Sequence, residues 1–175
     1  MKVLGITAAM FLAASGGAQA EVADKGPAGF EVRHIVTIDA PPAKVRAAAL
    51  DIGKWWNSSH TYSGEAKNLS IDASGCFCEK LPDGFVRHMF LTYSAPDALR
   101  LTGALGPLAT TGASGHLGLQ FGKAPDPNKT LLTLTYDVGG YARGGLSETW
   151  AGPVDSVLGE QVVRLKKYVE TGRPQ

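Results

Sequence analysis

Residues 153–171 carry the clearest apolar pattern in the chain. On a helix that turns about 100° per residue, one face collects Val154, Val157, Leu158, Val162, Leu165, Tyr168 and Val169. Pro153 suits the first turn of a helix, and Gly172 suits its end. Gln161 alone interrupts the apolar stripe. The pattern predicts a long amphipathic helix that covers an apolar surface and brings one polar group toward it.

Most of the chain before this helix alternates apolar and polar residues, with the period of a half-buried β-strand. The predicted strands cover residues 30–38, 68–73, 75–81, 85–93, 99–103, 116–121 and 131–138. Between the first two, Pro42 opens a helical pattern that runs to residue 52, and residues 54–57 indicate a second helical turn. Residues 104–115 read as an apolar loop rich in glycine and threonine.

This order predicts an α+β protein in which a curved antiparallel sheet of six or seven strands wraps around the long C-terminal helix. The two short helices after the first strand would close one end of the sheet. Because a single helix rarely fills such a trough, we expect a cavity between the helix and the sheet, lined by alternate strand residues.

The N-terminus has the pattern of a secretory signal peptide. Lys2 precedes an apolar run over residues 3–14, and small residues lead to a cleavage position after Ala20. The run is shorter than the roughly 20 residues that a membrane-spanning helix needs. We therefore expect a periplasmic or secreted protein with no stable membrane anchor, a flexible leader over residues 21–29 and a single domain over residues 30–172.

The charge balance argues against polyanionic partners. The chain has 17 Lys and Arg residues and 16 Asp and Glu residues. Lys2 is the only charged residue that removal of the signal peptide would take away. Such a balance favours neither nucleic acid nor a membrane surface as a partner. The glycine pairs at residues 139–140 and 144–145 lack the strand-to-helix setting of a phosphate-binding loop, so no nucleotide cofactor is expected.

Cys76 and Cys78 are the only cysteines in the chain. An exported protein meets oxidising conditions, so a strained disulfide is one interpretation. In a fully extended strand their Cα atoms would lie about 7 Å apart, beyond the usual disulfide range, so two buried thiols are the simpler prediction. A metal pair is the third alternative, but no zinc-type spacing accompanies the two cysteines, and no metal site is expected.

The hairpin around residues 82–84 brings Glu79 close to a basic residue. With a two-residue loop Glu79 pairs with His88, and with a three-residue loop it pairs with Arg87. Inside a cavity, a carboxylate beside a histidine can hold the imidazole as a base. On the outer face the same residues would form an ordinary cross-strand ion pair, which is the simpler interpretation.

His60 is a further acid/base candidate, because it follows Trp56 and precedes Tyr62 near the expected cavity mouth. As a lone histidine in a serine-rich loop, it also fits a hydrogen-bonded cap. Six residues are candidates for lining a ligand site, with ordinary core packing as the alternative: Trp56, Phe77, Tyr136, Tyr141, Trp150 and Gln161.

The order of elements resembles the helix-grip fold of the SRPBCC or START-like superfamily. The residues that carry the resemblance are 31–33 and 40–45 around Ala40-Pro41-Pro42, the pair Trp55-Trp56, and the final helix over residues 154–172. Four local segments look similar to an exported bacterial branch with no assigned activity: residues 75–79, 103–108, 136–141 and 154–161. The resemblance implies a scaffold that hosts carriers, polyketide cyclases/dehydrases and activators of chaperone ATPases.

Three functional hypotheses follow. The first is a module that binds a small hydrophobic molecule under the C-terminal helix. The second is a cofactor-free cyclase- or dehydratase-like enzyme that uses Glu79 or His60 as acid/base, with His88 as partner. The third is an interaction module similar to the chaperone activators, which would need exposed apolar surface on the sheet. The sequence does not specify an oligomeric state or the identity of a ligand.

Overall fold

The computed structural model describes residues 19–175, so nearly all of the predicted signal peptide lies outside the described residues. The strands are β1 Gln19–Gly26, β2 Gly29–Ile38, β3 Leu69–Ile71, β4 Cys76–Leu81, β5 Gly84–Ser94, β6 Ala98–Gly103, β7 Gly112–Lys123 and β8 Thr130–Tyr141. The helices are α1 Pro42–Leu50 and α2 Leu146–Thr171. Short 3-10 turns lie at Ile52–Lys54, Ser58–His60, Ala66–Asn68 and Gly106–Thr110.

The eight strands form one antiparallel sheet in the order β1-β2-β8-β7-β6-β5-β4-β3. Helix α2 packs on its concave face, mainly against β2, β1 and β8. This arrangement confirms the predicted α+β helix-grip fold. The predicted alternation is also confirmed on β2, where Val32, Val36 and Ile38 point into the core.

The flexible leader predicted for residues 21–29 is wrong, because β1 occupies most of it and pairs with β2 at the edge of the sheet. An edge strand is held by backbone hydrogen bonds on one side, so it needs no strong apolar alternation. The sequence pattern therefore did not reveal it, and the sheet has one strand more than the predicted maximum.

Helix α2 starts at Leu146, earlier than the predicted start at Pro153, which lies inside the helix. An interior proline removes one backbone hydrogen bond, but the extra turns bury Leu146 and Ala151. The Ser147 hydroxyl also donates to the backbone carbonyls of the β1–β2 hairpin, 2.7 Å from Gly29 O. The first turn of α2 is thereby fixed to the edge of the sheet.

The second half of α2 carries the predicted stripe. Leu158, Val162, Leu165 and Val169 are buried, and Gln161 is only 1% exposed among them. The prediction that Gln161 is the polar interruption of a buried face is confirmed.

A buried histidine, His34, faces α2 from β2. Its Nε2 lies 3.1 Å from Oδ1 of Asp155, and burial lowers the pKa of His34 although the Asp155 carboxylate opposes that change. Gly159 lets the helix approach this closely, since a Cβ there would lie 2.9 Å from the His34 ring. His34 therefore sits neutral between helix and sheet at neutral pH.

The β4–β5 hairpin adopts neither of the two predicted registers. Leu81 pairs with Gly84 and Glu79 with Val86, so the turn residues are Pro82 and Asp83. A β-bulge then shifts the pairing so that Phe77 lies opposite Met89. The extra residue in the bulge is His88, and the shift allows both His88 and Met89 to point into the core.

The prediction of two free thiols is wrong, because Cys76 and Cys78 form a disulfide. Their Cα atoms are 5.3 Å apart, less than in a fully extended strand. The register of the β4–β5 pair also shifts between Phe77 and Cys78. The fully extended geometry assumed for the prediction does not apply at this position.

Candidate functional site

A cavity of about 290 Å³ lies between the first half of α2, the sheet, the segment after Trp56 and the 3-10 turn Gly106–Thr110. Its walls are mainly apolar and include Trp56, Phe77, Leu105, Leu108, Trp150, Val154, Val157 and Leu158. The expected space between helix and sheet is therefore present, and Trp56, Phe77 and Trp150 contact it as predicted.

Tyr136 forms part of the cavity wall, but its hydroxyl group is already engaged in hydrogen bonds within the protein. Its hydroxyl donates to Gly103 O at 3.1 Å and accepts the N–H of Leu105 at 3.0 Å. Burial raises the pKa of Tyr136 to about 12, so the phenol stays protonated. Gly115 leaves room for the ring, since a Cβ there would lie 2.7 Å from it. Tyr136 thus fixes the loop that begins at Gly103 and shapes one wall.

Glu79 and His88 form a buried pair directly behind the cavity surface. Glu79 is 0% exposed, and its Oε2 lies 3.0 Å from Nε2 of His88. Its other carboxylate oxygen accepts the backbone N–H of Ser63. His88 is buried and lines the cavity. Glu79 does not line the cavity and lies behind His88. The simpler interpretation of Glu79, an ion pair on the outer face, is wrong, because the bulge turns His88 inward beside it.

The environment fixes the protonation of this pair. Burial by itself would raise the pKa of Glu79, but hydrogen bonds from Ser63, Tyr62 and His88 together bring that pKa below its usual value. Burial lowers the pKa of His88, and the Glu79 carboxylate only partly opposes this. Glu79 is therefore ionised and His88 neutral near pH 7.

The neutral imidazole has a defined tautomer. A carboxylate only accepts hydrogen bonds, so His88 carries its proton on Nε2 and donates it to Glu79. Its Nδ1 is then an acceptor, and this atom is buried with no hydrogen-bond partner among the residues that the structure describes. A carboxylate that orients an imidazole whose second nitrogen is unpaired is the arrangement of a general base.

Tyr62 covers this pair from the polar loop. Its ring stacks on His88 with centroids 6.0 Å apart, while half of the residue is exposed to solvent. The Phe77 ring also packs against the imidazole, with the two ring centroids 5.1 Å apart. Sequence reasoning missed Tyr62 and Ser63 as site residues, since an aromatic and a serine in a polar loop give no periodic signal.

His60 stands at the cavity wall on the other side, and its Nδ1, rather than its Nε2, is engaged by a neighbouring side chain. The Gln161 amide is oriented by its Oε1, which accepts the backbone N–H of Asn57 at 2.8 Å. Its Nε2 therefore faces Nδ1 of His60 at 3.0 Å and donates to it. A neutral His60 consequently carries its proton on Nε2 and is a donor, with Glu160 3.6 Å from Nδ1.

Two of the predicted ligand-site residues lie away from the main cavity. Gln161 does not line the main cavity; it lines a separate internal space of about 30 Å³. Its amide is held there by hydrogen bonds with Asn57 and His60. Tyr141 is 73% exposed at the end of β8, since the strand runs past the edge of the core before α2 begins.

The outer face of β5 carries three exposed aromatic residues, Phe85, Phe90 and Tyr93. Arg87 stacks over Phe90 at 4.5 Å and Arg100 over Tyr93 at 4.6 Å. The guanidinium groups lie over Phe90 and Tyr93, so charge interrupts the apolar surface that the interaction hypothesis requires.

Within residues 19–175, no group of three or more His, Cys, Asp or Glu side chains is arranged to hold a metal ion. In the same part of the chain, no helix combines the length and apolar character needed to cross a membrane.

The chain matches no protein-family model and no curated protein. A conserved protein of unknown function from Enterococcus faecalis has a similar structure, with a TM-score of 0.59 and 16% identity over 89% of this chain and 78% of that chain. CalU16 from Micromonospora echinospora has a TM-score of 0.55 and 14% identity over 90% of this chain and 86% of that chain.

The di-domain ARO/CYC protein StfQ of the steffimycin biosynthetic pathway is also similar, with a TM-score of 0.51 and 12% identity. The match covers 83% of this chain and 52% of StfQ, so this chain spans about half of that protein. At such identities the likeness shows the fold alone. The helix-grip fold implied by the resemblance is thus one that ARO/CYC proteins share, while the exported branch stays a prediction.

Proposed function

We propose that this chain binds a small, mainly apolar molecule in the cavity beneath α2, outside the cytoplasm. The observation that carries the proposal is the cavity itself, about 290 Å³ in volume with aromatic and aliphatic walls and few polar groups. Ligand sites commonly combine such walls with one or two placed polar groups. The volume lies near the lower end of the usual range of about 300–1,000 Å³, which favours a ligand of the size of a bicyclic aromatic.

Native mass spectrometry of protein purified from its own host tests this proposal. The wild-type chain should retain a bound small molecule, whereas Val154→Trp should lose it, because Val154 lines the cavity and the indole would fill the space. Val163→Trp is the matched control, since Val163 lies on the exposed face of the same helix. Ligand-free wild type, or equal occupancy in all three proteins, would contradict the proposal.

A second candidate function is acid–base catalysis on the bound molecule, and the Glu79–His88 pair favours it. His88 Nδ1 could accept a proton from carbon next to a carbonyl, while His60 Nε2–H donates a hydrogen bond to the carbonyl oxygen as enolate charge develops. Glu79 would act as a positioning residue that keeps the His88 proton on Nε2. Return of the proton to carbon completes the cycle with no cofactor.

Deuterium incorporation into acetonaphthone tests this second function without knowledge of the natural substrate. The protein in deuterated buffer should accelerate exchange of the methyl protons, and His88→Phe should abolish the acceleration. His116→Phe removes an exposed histidine on β7 and should leave it intact. Equal exchange rates with wild type and His88→Phe would exclude His88 as the base.

A further inference from the structure

The hydrogen-bonding polarity of the cavity defines what kind of ligand it accepts. Among the polar groups of the main cavity wall, the Tyr136 hydroxyl is satisfied by Gly103 and Leu105, and a neutral His60 is a donor because its Nδ1 accepts from the Gln161 amide. His88 Nδ1, in contrast, is a buried acceptor with no partner among the described residues. A buried acceptor without a partner destabilises the unliganded protein, so a ligand that supplies a donor removes this cost on binding.

We propose that the cavity selects an uncharged, mainly apolar molecule whose hydroxyl group donates a hydrogen bond to Nδ1 of His88. This inference rests on the proposed binding function and adds the chemical class of the ligand. Nδ1 itself is buried in this structure, so the ligand hydroxyl reaches it only when the side chains around the edge of the imidazole shift; the half-exposed Tyr62 ring stacks on the face of the imidazole.

Charged ligands are disfavoured for two reasons. A carboxylate at this position would meet the lone pair of Nδ1 and, behind the ring, the ionised Glu79 whose Oε2 is 3.0 Å from Nε2. An ammonium group would find an acceptor, but it would lose its hydration among apolar walls. A neutral hydroxyl meets the acceptor at a much smaller cost of desolvation.

The acceptor character of Nδ1 depends on Glu79. In Glu79→Gln, the amide oxygen would still accept the Ser63 N–H that the carboxylate accepts now, which leaves the amide NH₂ facing His88 Nε2. That nitrogen must then become the acceptor, and the imidazole proton moves to Nδ1. The substitution should therefore turn the site from a hydrogen-bond acceptor into a donor.

Isothermal titration calorimetry with naphthalene and four of its derivatives tests the inference. For the wild-type protein, a naphthol should bind about tenfold more tightly than its methyl ether, as expected for one recovered buried hydrogen bond. The corresponding naphthoate and naphthylmethylamine should bind more weakly than naphthalene itself. In Glu79→Gln the order of the naphthol and its methyl ether should reverse, and His116→Phe should behave as wild type.

The outcomes separate this inference from the function on which it rests. If none of the compounds binds in the cavity, the binding function itself fails. If naphthalene binds as tightly as the naphthol, or if the naphthoate or the amine binds best, the cavity still binds a ligand and the hydroxyl preference is wrong. Should Glu79→Gln fail to fold, His88→Phe decides, since it must remove the naphthol preference while retaining naphthalene binding.

Discussion

Two buried histidines should make the folded protein sensitive to mild acid. His34 and His88 are 2% and 6% exposed, and burial lowers the pKa of each below its ordinary value of 6.5 despite a facing carboxylate. Asp155 faces His34 and Glu79 faces His88. Below about pH 6.5 the unfolded chain binds protons that the folded chain does not, so the free energy of unfolding falls as the pH falls.

The size of the effect follows from proton linkage. Each histidine that is protonated only in the unfolded chain contributes about 1.4 kcal/mol per pH unit, so the two together contribute at most about 2.7 kcal/mol per unit. The stability that depends on these two neutral histidines is fully present above pH 6.5. It is lost progressively as the pH drops toward the lowered pKa values of the folded state. The total free energy of unfolding of a domain is about 5–15 kcal/mol, so the decrease in this free energy over one pH unit is readily measured.

Urea unfolding followed by circular dichroism between pH 7 and 5 measures this slope. His34→Gln and His88→Gln keep an amide N–H for the facing carboxylate but do not titrate in this range, so each should flatten the slope, and the double variant should flatten it most. His116→Gln is the exposed control. A slope that is the same in the wild type and the double variant would refute the protonation states assigned to both histidines.

Three further predictions concern individual contacts. Tyr136→Phe leaves the N–H of Leu105 without its partner and should lower the free energy of unfolding by about 1–3 kcal/mol, as measured by urea unfolding; an unchanged value would mean that the loop does not depend on the phenol. Gln161→Leu should cost a similar amount and speed proteolytic cleavage near Asn57, whereas equal cleavage rates would argue against its role in holding that segment. Alkylation of the denatured, unreduced chain should find no free thiol, and reagent uptake at Cys76 or Cys78 would contradict the disulfide.

The fold could be predicted because its strongest signals are periodic. The stripe through Leu158, Val162 and Leu165 is repeated over several turns, and the alternation along β2 and β8 spans whole strands. Such patterns reflect burial, which dominates folding energetics. The start of α2 was not predictable in the same way, because a proline normally marks a helix start and only tertiary contacts of Ser147 and Ala151 extend the helix past it.

The site was only partly predictable. Glu79, His88 and His60 were identified from residue type, and the structure brings all three to the cavity or its immediate support. Their geometry depends on a bulge at His88, and a bulge adds one residue without leaving a mark in the sequence pattern. Gln161 and Tyr141 do not line the main cavity, and periodicity alone could not show this, since it does not separate burial from contact with a cavity.

The most direct test of the central claim is a crystal structure of the protein with a bromonaphthalene bound, in which anomalous scattering locates the bromine. The cavity beneath α2 should contain the anomalous peak, between Trp56, Phe77 and Trp150, and Val154→Trp crystals should lack it. An empty cavity in crystals that carry the compound elsewhere, or no bound compound at all, would contradict the account.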